Sequence, residues 1–121
     1  PFSYDSNARD VAELSTAVYD TSTASSTTHG YVHGGRRPGI TNVIEKFAFA
    51  TDGDASDVAE LSTPRAETAS PSSTTHGYVC AGAPGNSGNN NFEKYPFSSD
   101  SPGVDVAELT YTARAVTGVQ V

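Results

Sequence analysis

The sequence predicts an all-β protein built from tandem four-stranded antiparallel sheets. One six-residue phrase, Asp-Val-Ala-Glu-Leu followed by Ser or Thr, occurs at residues 10–15, 57–62 and 105–110, and its copies start 47 and 48 residues apart. A second phrase, Ser-Thr-Thr-His-Gly-Tyr-Val, occurs at residues 26–32 and returns at 73–79. Self-similarity at a fixed period of this length indicates a repeat architecture. Segments with helical periodicity are scarce, so strands are the repeated element.

The repeat spacing divides the 121 residues into about two and a half units. We place the first repeat at residues 1–47, the second at 48–95 and a partial third at 96–121, all within a single repeat module. The chain has no Met and opens at Pro1, a position inside the repeat. We therefore expect a piece of something longer, or one copy that other copies complete.

Each repeat contains four short segments with strand character. The alternation is clearest at residues 43–49, where Val43, Phe47 and Phe49 fall on one face. β-branched threonines alone support a strand in the Ser/Thr-rich stretch that precedes the His-Gly-Tyr phrase. The other predicted strands are residues 22–27, 30–33 and the Asp-Val phrase at 11–14 and 58–61.

Turn-forming residues separate these segments. Loops rich in Gly and Pro or Asn occupy residues 34–39 and 83–91, and tight turns that contain Asp occupy 52–54 and 100–103. Four short strands separated by turns in 47 residues match one blade of a β-propeller. The predicted fold is therefore a tandem of four-stranded antiparallel, β-propeller-like blades.

Composition narrows the function classes. The net charge of −7 argues against nucleic acid and against an anionic membrane surface, because both reward Lys and Arg. No apolar run is long enough to span a membrane. Cys80 is the single cysteine, so an intrachain disulfide is excluded. It takes the position of His33 in the previous repeat, which indicates an ordinary strand residue.

The order of the phrases resembles a known family. A strand leads to Gly-Tyr-Val-His-Gly-Gly at residues 30–35, a loop, Asn-Val-Ile-Glu-Lys-Phe at 42–47, a turn, and Asp-Val-Ala-Glu-Leu at 57–61. The whole chain thereby resembles kelch-type β-propeller repeats, and most of all the kelch-like repeats of phage and bacterial surface proteins. Two departures are the Ala81-Gly82 pair in place of the double glycine, and the lack of any Trp.

This resemblance and the repeat number together suggest a structural role. A blade buries both faces of its sheet only against neighbouring blades, and a closed propeller has about 4–8 of them. We therefore expect a structural, self-assembling repeat protein: a ring or filament subunit, or a fragment of a larger propeller. Its partners are copies of itself or the rest of a longer chain. The resemblance implies an extracellular, cell-surface or virion location.

The alternative function is adhesion, with a glycan or a receptor bound by the blade loops. The candidate binding residues are the two repeated His-Gly-Tyr sites and an arginine pair in a Gly/Pro loop: His29, Tyr31, His76, Tyr78, Arg36 and Arg37. The competing interpretation is that these His and Tyr side chains are buried and tied to backbone groups, and that the arginines form a solvated loop tip. No nucleophile elbow, zinc-binding cysteine pair, phosphate loop or dinucleotide fingerprint is present, so we assign no catalytic residue and do not expect an enzyme.

The acidic turns are candidate calcium sites. Two of them follow the pattern Asp-x-Asp/Asn-x-x-Asp and offer six oxygen-bearing side chains: Asp5, Asn7, Asp10, Asp52, Asp54 and Asp57. Oxygen ligands at alternating positions of a tight loop suit Ca²⁺. The competing interpretation is a hairpin turn whose aspartates bond their own backbone. No other cofactor is expected.

Overall fold

The computed structural model describes residues 7–116, and over this range the protein is all-β, as predicted. No helix in the described range is long and apolar enough to cross a membrane. Among residues 7–116, seven strands form two antiparallel sheets, one of four strands and one of three. The strands are β1 (Ser22–Ser25), β2 (His29–His33), β3 (Val43–Ala48), β4 (Ser56–Glu60), β5 (His76–Cys80), β6 (Asn89–Pro96) and β7 (Val104–Ala113).

The first sheet has the order β1-β2-β3-β4, so each strand pairs with its neighbour in sequence. All four strands lie where the sequence predicts them, to within two residues at either end. The predicted alternation in β3 is retained, because its pairing with β2 runs without a break, and the extra residue of the register shift is Val58 in β4, opposite Ile44 and Glu45. Both residues are buried, at 0% and 2% exposure, because the first sheet is covered on both faces.

The second sheet has the order β5-β6-β7 and follows the same plan. Residues 69–72 run beside β5 through isolated bridges that pair Ala69 with Cys80 and Ser72 with Gly77. They correspond in position to β1, but Pro71 lacks the N–H that a continuous ladder requires. Within residues 7–116 the two sheets stay separate and do not close on each other.

The prediction of a strand at residues 11–14 is wrong. The same phrase forms β4 and contributes to β7 because it pairs there with β3 and β6, respectively. Among the described residues no strand lies upstream to pair with the first copy. It instead lies against the first sheet, where the Glu13 carbonyl accepts a hydrogen bond from the Ala55 amide at 2.9 Å. A strand sequence needs a partner as well as a propensity.

The core lies between the two sheets. Its buried members are Tyr31, Ile44, Ala59, Leu61, Val79 and Tyr95. Tyr31 of β2 stacks on Phe97, with ring centroids 4.9 Å apart, and also contacts Tyr95 at 5.5 Å. Arg65 and Glu93 are buried in the same region at 0% exposure. Buried charges between two sheets are costly unless they are paired, and Arg65 and Glu93 form an ion pair with each other.

Candidate functional site

A serine and a glutamate form the repeated contact between one unit and the next. Ser62 follows β4, and its amide and hydroxyl donate to the carboxylate of Glu93 in β6 at 2.9 and 2.7 Å. One repeat earlier, the Ser15 amide donates to Glu45 in β3 at 3.1 Å, and the Ser15 hydroxyl donates to the same carboxylate. We call this the serine–glutamate contact. It joins the ends of the first two Asp-Val phrases to β3 and β6, respectively.

Each of these buried carboxylates also has a cation, but from a different source. Arg65, three residues beyond Ser62, forms a fully buried ion pair with Glu93. Glu45 is paired with Arg37 at 2.8 Å, from the loop between β2 and β3 of its own sheet. Burial lowers the pKa of Arg65, but the guanidinium group stays charged because its ordinary pKa is so high. Both glutamates are therefore neutralised by ion pairing.

Backbone hydrogen bonds repeat in step with the side chains. The Ala55 amide donates to the Glu13 carbonyl at 2.9 Å, and the Gly103 amide donates to the Glu60 carbonyl at 2.9 Å. The donors and the acceptors are separated by 48 and 47 residues, respectively, so both bonds connect equivalent positions of successive units. The contact is thus a geometric repeat as well as a sequence repeat.

A second chain of backbone bonds runs through residues with left-handed backbone. Asp20, Glu67 and Ala115 have φ values of 55°, 57° and 52° and occupy one repeat position. The Glu67 amide donates to the Asp20 carbonyl at 3.0 Å, and the Ala115 amide donates to the Glu67 carbonyl at 2.9 Å. A left-handed backbone is rare for residues other than glycine and asparagine. Its recurrence at one position indicates that the stacking direction dictates it.

A histidine and a tyrosine form a polar pair inside the contact. His33 Nε2 lies 2.5 Å from the Tyr95 hydroxyl, and His33 Nδ1 lies 3.0 Å from the Ser70 hydroxyl. A neutral imidazole has one donor and one acceptor nitrogen, and each hydroxyl can take either role, so both nitrogens are satisfied. Burial lowers the pKa of His33 to about 3. Burial also raises the pKa of Tyr95, so both groups are neutral near pH 7.

The glycine of each His-Gly-Tyr phrase makes room for an aromatic ring of the neighbouring strand. A Cβ atom on Gly77 would lie 2.3 Å from the Tyr95 ring, and one on Gly30 would lie 2.3 Å from the Phe47 ring. The ring covers the glycine in both sheets. This packing role accounts for the glycine at both positions.

The predicted histidine and tyrosine sites are only partly buried. Tyr31 is 4% exposed and belongs to the core, whereas Tyr78 on the second sheet is half-buried. The Nδ1 atoms of His29 and His76 each lie 2.9 Å from the hydroxyl of the preceding threonine. The His76 side chain also borders a groove of about 520 Å³ between the turns at residues 26–28 and 96–98.

The predicted arginine pair forms ion pairs within the fold. Arg36 contacts Asp20 at 3.2 Å and Glu67 at 3.1 Å, so it bridges two successive repeat positions. The hydrogen bond to Glu67 is the main reason that the pKa of Arg36 is raised. Arg37 is held by Glu45. Neither side chain is the free cation that an anion-binding loop tip would present.

The predicted calcium ligands are dispersed. Asp52 forms an ion pair with Arg9 at 2.5 Å. The Asp54 carboxylate accepts a hydrogen bond from the Glu13 amide at 3.1 Å. Asn7, Asp10 and Asp57 are exposed, and Asp5 lies outside the described residues. Across residues 7–116 no three His, Cys, Asp or Glu side chains come together in a group that could hold a metal ion. The melting experiment described below tests calcium binding at these turns.

Sequence reasoning missed the serine–glutamate contact. Ser15, Ser62, Glu45 and Glu93 all lie in phrases that the repeat analysis identifies, so the signal was present. A glutamate that returns at one position of a strand phrase indicates a partner for its carboxylate. The identity of that partner, 30 or 31 residues away, could not be read from the period.

No model of a known protein family and no curated protein matches this chain.

Proposed function

We propose that this protein is a structural repeat module that assembles head to tail, with copies of itself or with further repeats, into a ring or a filament. The common plan of the two sheets supports their description as β-propeller-like blades. A kelch-like module of this kind would act outside the cell, on a cell surface or on a virion. Such assemblies form rings when the rotation between units closes and filaments when it does not.

The observation that carries the proposal is that the internal contact joins two different surfaces. The side of the first sheet that contributes Ser62 and Arg65 meets the side of the second sheet that contributes Glu93. Such a heterologous contact leaves one surface of each type at the two ends of a stack. A further unit can be added at either end with the same chemistry.

The outer side of the second sheet, which is the face turned away from the first sheet, has the features of an interface without a partner. Leu61 is 2% exposed in the internal contact, whereas its equivalent Leu109 is half-buried. Val106 and Tyr111 on β7 are 48% and 72% exposed. Within residues 7–116 the hydroxyl of Thr110, the equivalent of Ser62, has no hydrogen-bond partner. This combination of apolar surface and an unused donor favours another copy as its partner.

Sedimentation velocity across a wide concentration range tests the proposal. We expect species heavier than the 12.5 kDa monomer, in amounts that rise with concentration. Electron microscopy of the heaviest fraction then distinguishes rings from filaments. A folded species that stays at 12.5 kDa up to millimolar concentration would contradict the proposal.

One observation favours a second candidate function, glycan binding. The groove of about 520 Å³ is lined by hydroxyl side chains from both Ser-Thr-Thr turns, together with His76 and Phe97. Hydroxyls beside an aromatic ring suit a sugar, whose polar edge and apolar face need different contacts. Binding to a glycan array that is lost in a Thr75→Ala/His76→Ala variant of unchanged size would support this function over assembly.

A further inference from the structure

We propose that the outer side of the first sheet of one copy receives the outer side of the second sheet of another copy, and that residues 10–15 occupy this receiving surface until residues 105–110 of the incoming copy replace them. This inference rests on the proposed function, because it names the surfaces through which the copies join. The receiving surface consists of Glu45, Phe47, Phe49, Asp52 and Ala55. The incoming surface consists of Tyr78, Cys80, Lys94, Leu109 and Thr110.

The internal contact supplies the template. His33 in β2 meets Tyr95 in β6 through a hydrogen bond. The equivalents at the two outer sides are Cys80, on the incoming surface, and Phe47, on the receiving surface. The imidazole and its hydroxyl partner are thus both replaced by groups that need no strong hydrogen bond. A docked second copy would place two apolar groups together, whereas either replacement alone would leave a polar group unpaired.

The shapes of the two outer surfaces agree with this pairing. Cys80 and Leu109 line a groove of about 320 Å³ on the incoming surface. In the internal contact, an aromatic ring occupies the equivalent place, because Tyr95 packs against His33 with ring centroids 5.3 Å apart. Phe49 is 54% exposed on the receiving surface, while its equivalent Phe97 packs against the core. The incoming surface therefore has space for an aromatic side chain, and the receiving surface has aromatic rings to fill it.

The charged residues of the incoming and receiving surfaces are also complementary. Lys46 pairs with Asp100 across the internal contact at 2.5 Å. Its equivalent Lys94 has no ion pair among the described residues, and the equivalent of Asp100 is Asp52, which is held by the exposed Arg9. A second copy brings Lys94 to Asp52 when the segment that carries Arg9 leaves.

The buried carboxylate of the receiving surface requires no cation from the partner. Arg37 already neutralises Glu45. On the incoming surface, the position of Arg65 is occupied by Ala113, which brings no charge. The incoming surface thus lacks the equivalent of Arg65, and the receiving surface supplies Arg37 to its own carboxylate.

Residues 10–15 cover the receiving surface but fit it loosely. Ser15 makes the serine–glutamate contact with Glu45, as Thr110 of an incoming copy would. The segment forms no strand, most of its residues are exposed, and a cavity of about 190 Å³ lined by Val11, Leu14 and Phe47 remains beneath it. The incoming phrase has nearly the same sequence and belongs to a full strand of a sheet, so it can replace this segment.

Two matched single variants test the exchange in the full chain. Ser15→Ala weakens the resident segment only, so we expect it to shift the assembly midpoint to a concentration about tenfold lower. Thr110→Ala weakens the incoming segment only, so we expect a shift of similar size to higher concentration. Circular dichroism at a concentration below assembly confirms that both variants fold.

Thiol labelling and charge exchange complete the test. Cys80, the only cysteine, lines the incoming groove, so its alkylation rate should fall as assembly proceeds. Lys94→Asp should prevent assembly, and Lys94→Asp combined with Asp52→Lys should restore it. If the chain assembles but the serine and threonine variants shift in the same direction or not at all, the exchange is overturned while the proposed function stands. If neither the native chain nor Ser15→Ala forms any species heavier than the monomer, both are overturned.

Discussion

His33 Nε2 and the Tyr95 hydroxyl lie 2.5 Å apart in the buried contact between the sheets, although 62 residues separate them in the chain. The pair is closed on its other side by the Ser70 hydroxyl. The equivalent positions, Cys80 and Phe47, carry no such polar groups. The two positions therefore change together, and this relationship can be tested by exchanging them.

Replacing either member of the pair should leave the other member buried and unsatisfied. We expect His33→Cys or Tyr95→Phe alone to lower the free energy of unfolding by about 1–3 kcal/mol. The double variant His33→Cys/Tyr95→Phe should cost less than the sum of the two single variants, because no polar group is stranded. Urea unfolding of all four proteins measures the coupling. Additive effects would show that the two side chains do not act as a pair.

The buried imidazole should make stability depend on pH. The pKa of His33 is lowered from its usual 6.5 to about 3 by burial, so the unfolded chain takes up a proton between these pH values that the folded chain does not. The free energy of unfolding should thus be fully retained above pH 6.5 and fall below it, by about 1.4 kcal/mol per pH unit. The double variant described above lacks the imidazole and serves as the control. Equal pH slopes for the two proteins between pH 6.5 and 4.5 would contradict the assignment.

The buried ion pair should be the most sensitive point of the contact. Glu93→Gln leaves the Arg65 guanidinium buried without its carboxylate, and we expect a loss of about 3–5 kcal/mol. Glu45→Gln is the matched control, and it should cost less because Arg37 is 21% exposed and can turn to water. Thermal unfolding followed by circular dichroism gives both values. The opposite ranking would show that the exposure of the cation does not decide the cost.

The glycine and alanine that end β2 and β5 should respond in opposite directions. Gly34 has φ 53°, and a Cβ atom there would lie 2.3 Å from the Arg65 carbonyl oxygen, so Gly34→Ala should lower stability by at least about 1–2 kcal/mol. Ala81 adopts φ 59° at the equivalent position. Ala81→Gly relieves that backbone and should raise stability by about 0.5 kcal/mol. Denaturant midpoints at constant m-value provide the comparison.

Calcium should have little effect on the folded protein. Asp52 and Asp54 are already used by Arg9 and by the Glu13 amide, so we expect the melting temperature to stay within about 1 °C on addition of millimolar Ca²⁺ or of a chelator. Magnesium at the same ionic strength is the control for screening. A rise in melting temperature with Ca²⁺ alone would establish the acidic turns as a metal site.

The sequence predicts β1 to β4 well because their signals are local. Alternation at residues 43–49, threonines in the Ser/Thr-rich stretch and turns of Gly, Pro or Asp define these strands without reference to distant residues. Residues 11–14 show the limit of such signals, since the same phrase is a strand only where a neighbouring strand is available. Whether the Asp-Val phrase forms a strand therefore depends on the neighbouring strand in the sheet and not on its own six residues alone.

The site was harder to predict because its partners are distant. The repeat period places Ser62 and Glu93 in recurring phrases but does not show that they touch. Cys80 occupies the position of His33, and the sequence alone does not pair it with Phe47, which occupies the position of Tyr95. Such compensation becomes visible once the two surfaces have been located in space.

The fully buried pair of Arg65 and Glu93 also bears on how a chain of near-identical units avoids misfolding. Residues 57–62 are identical in sequence to residues 10–15, so they offer Glu45 the same contact. That frame slip would bring two guanidinium groups to one carboxylate and leave Glu93 without any cation, which is costly away from water. The slipped arrangement is therefore disfavoured by charge, and the ion pair of Arg65 with Glu93 favours the native order of the units.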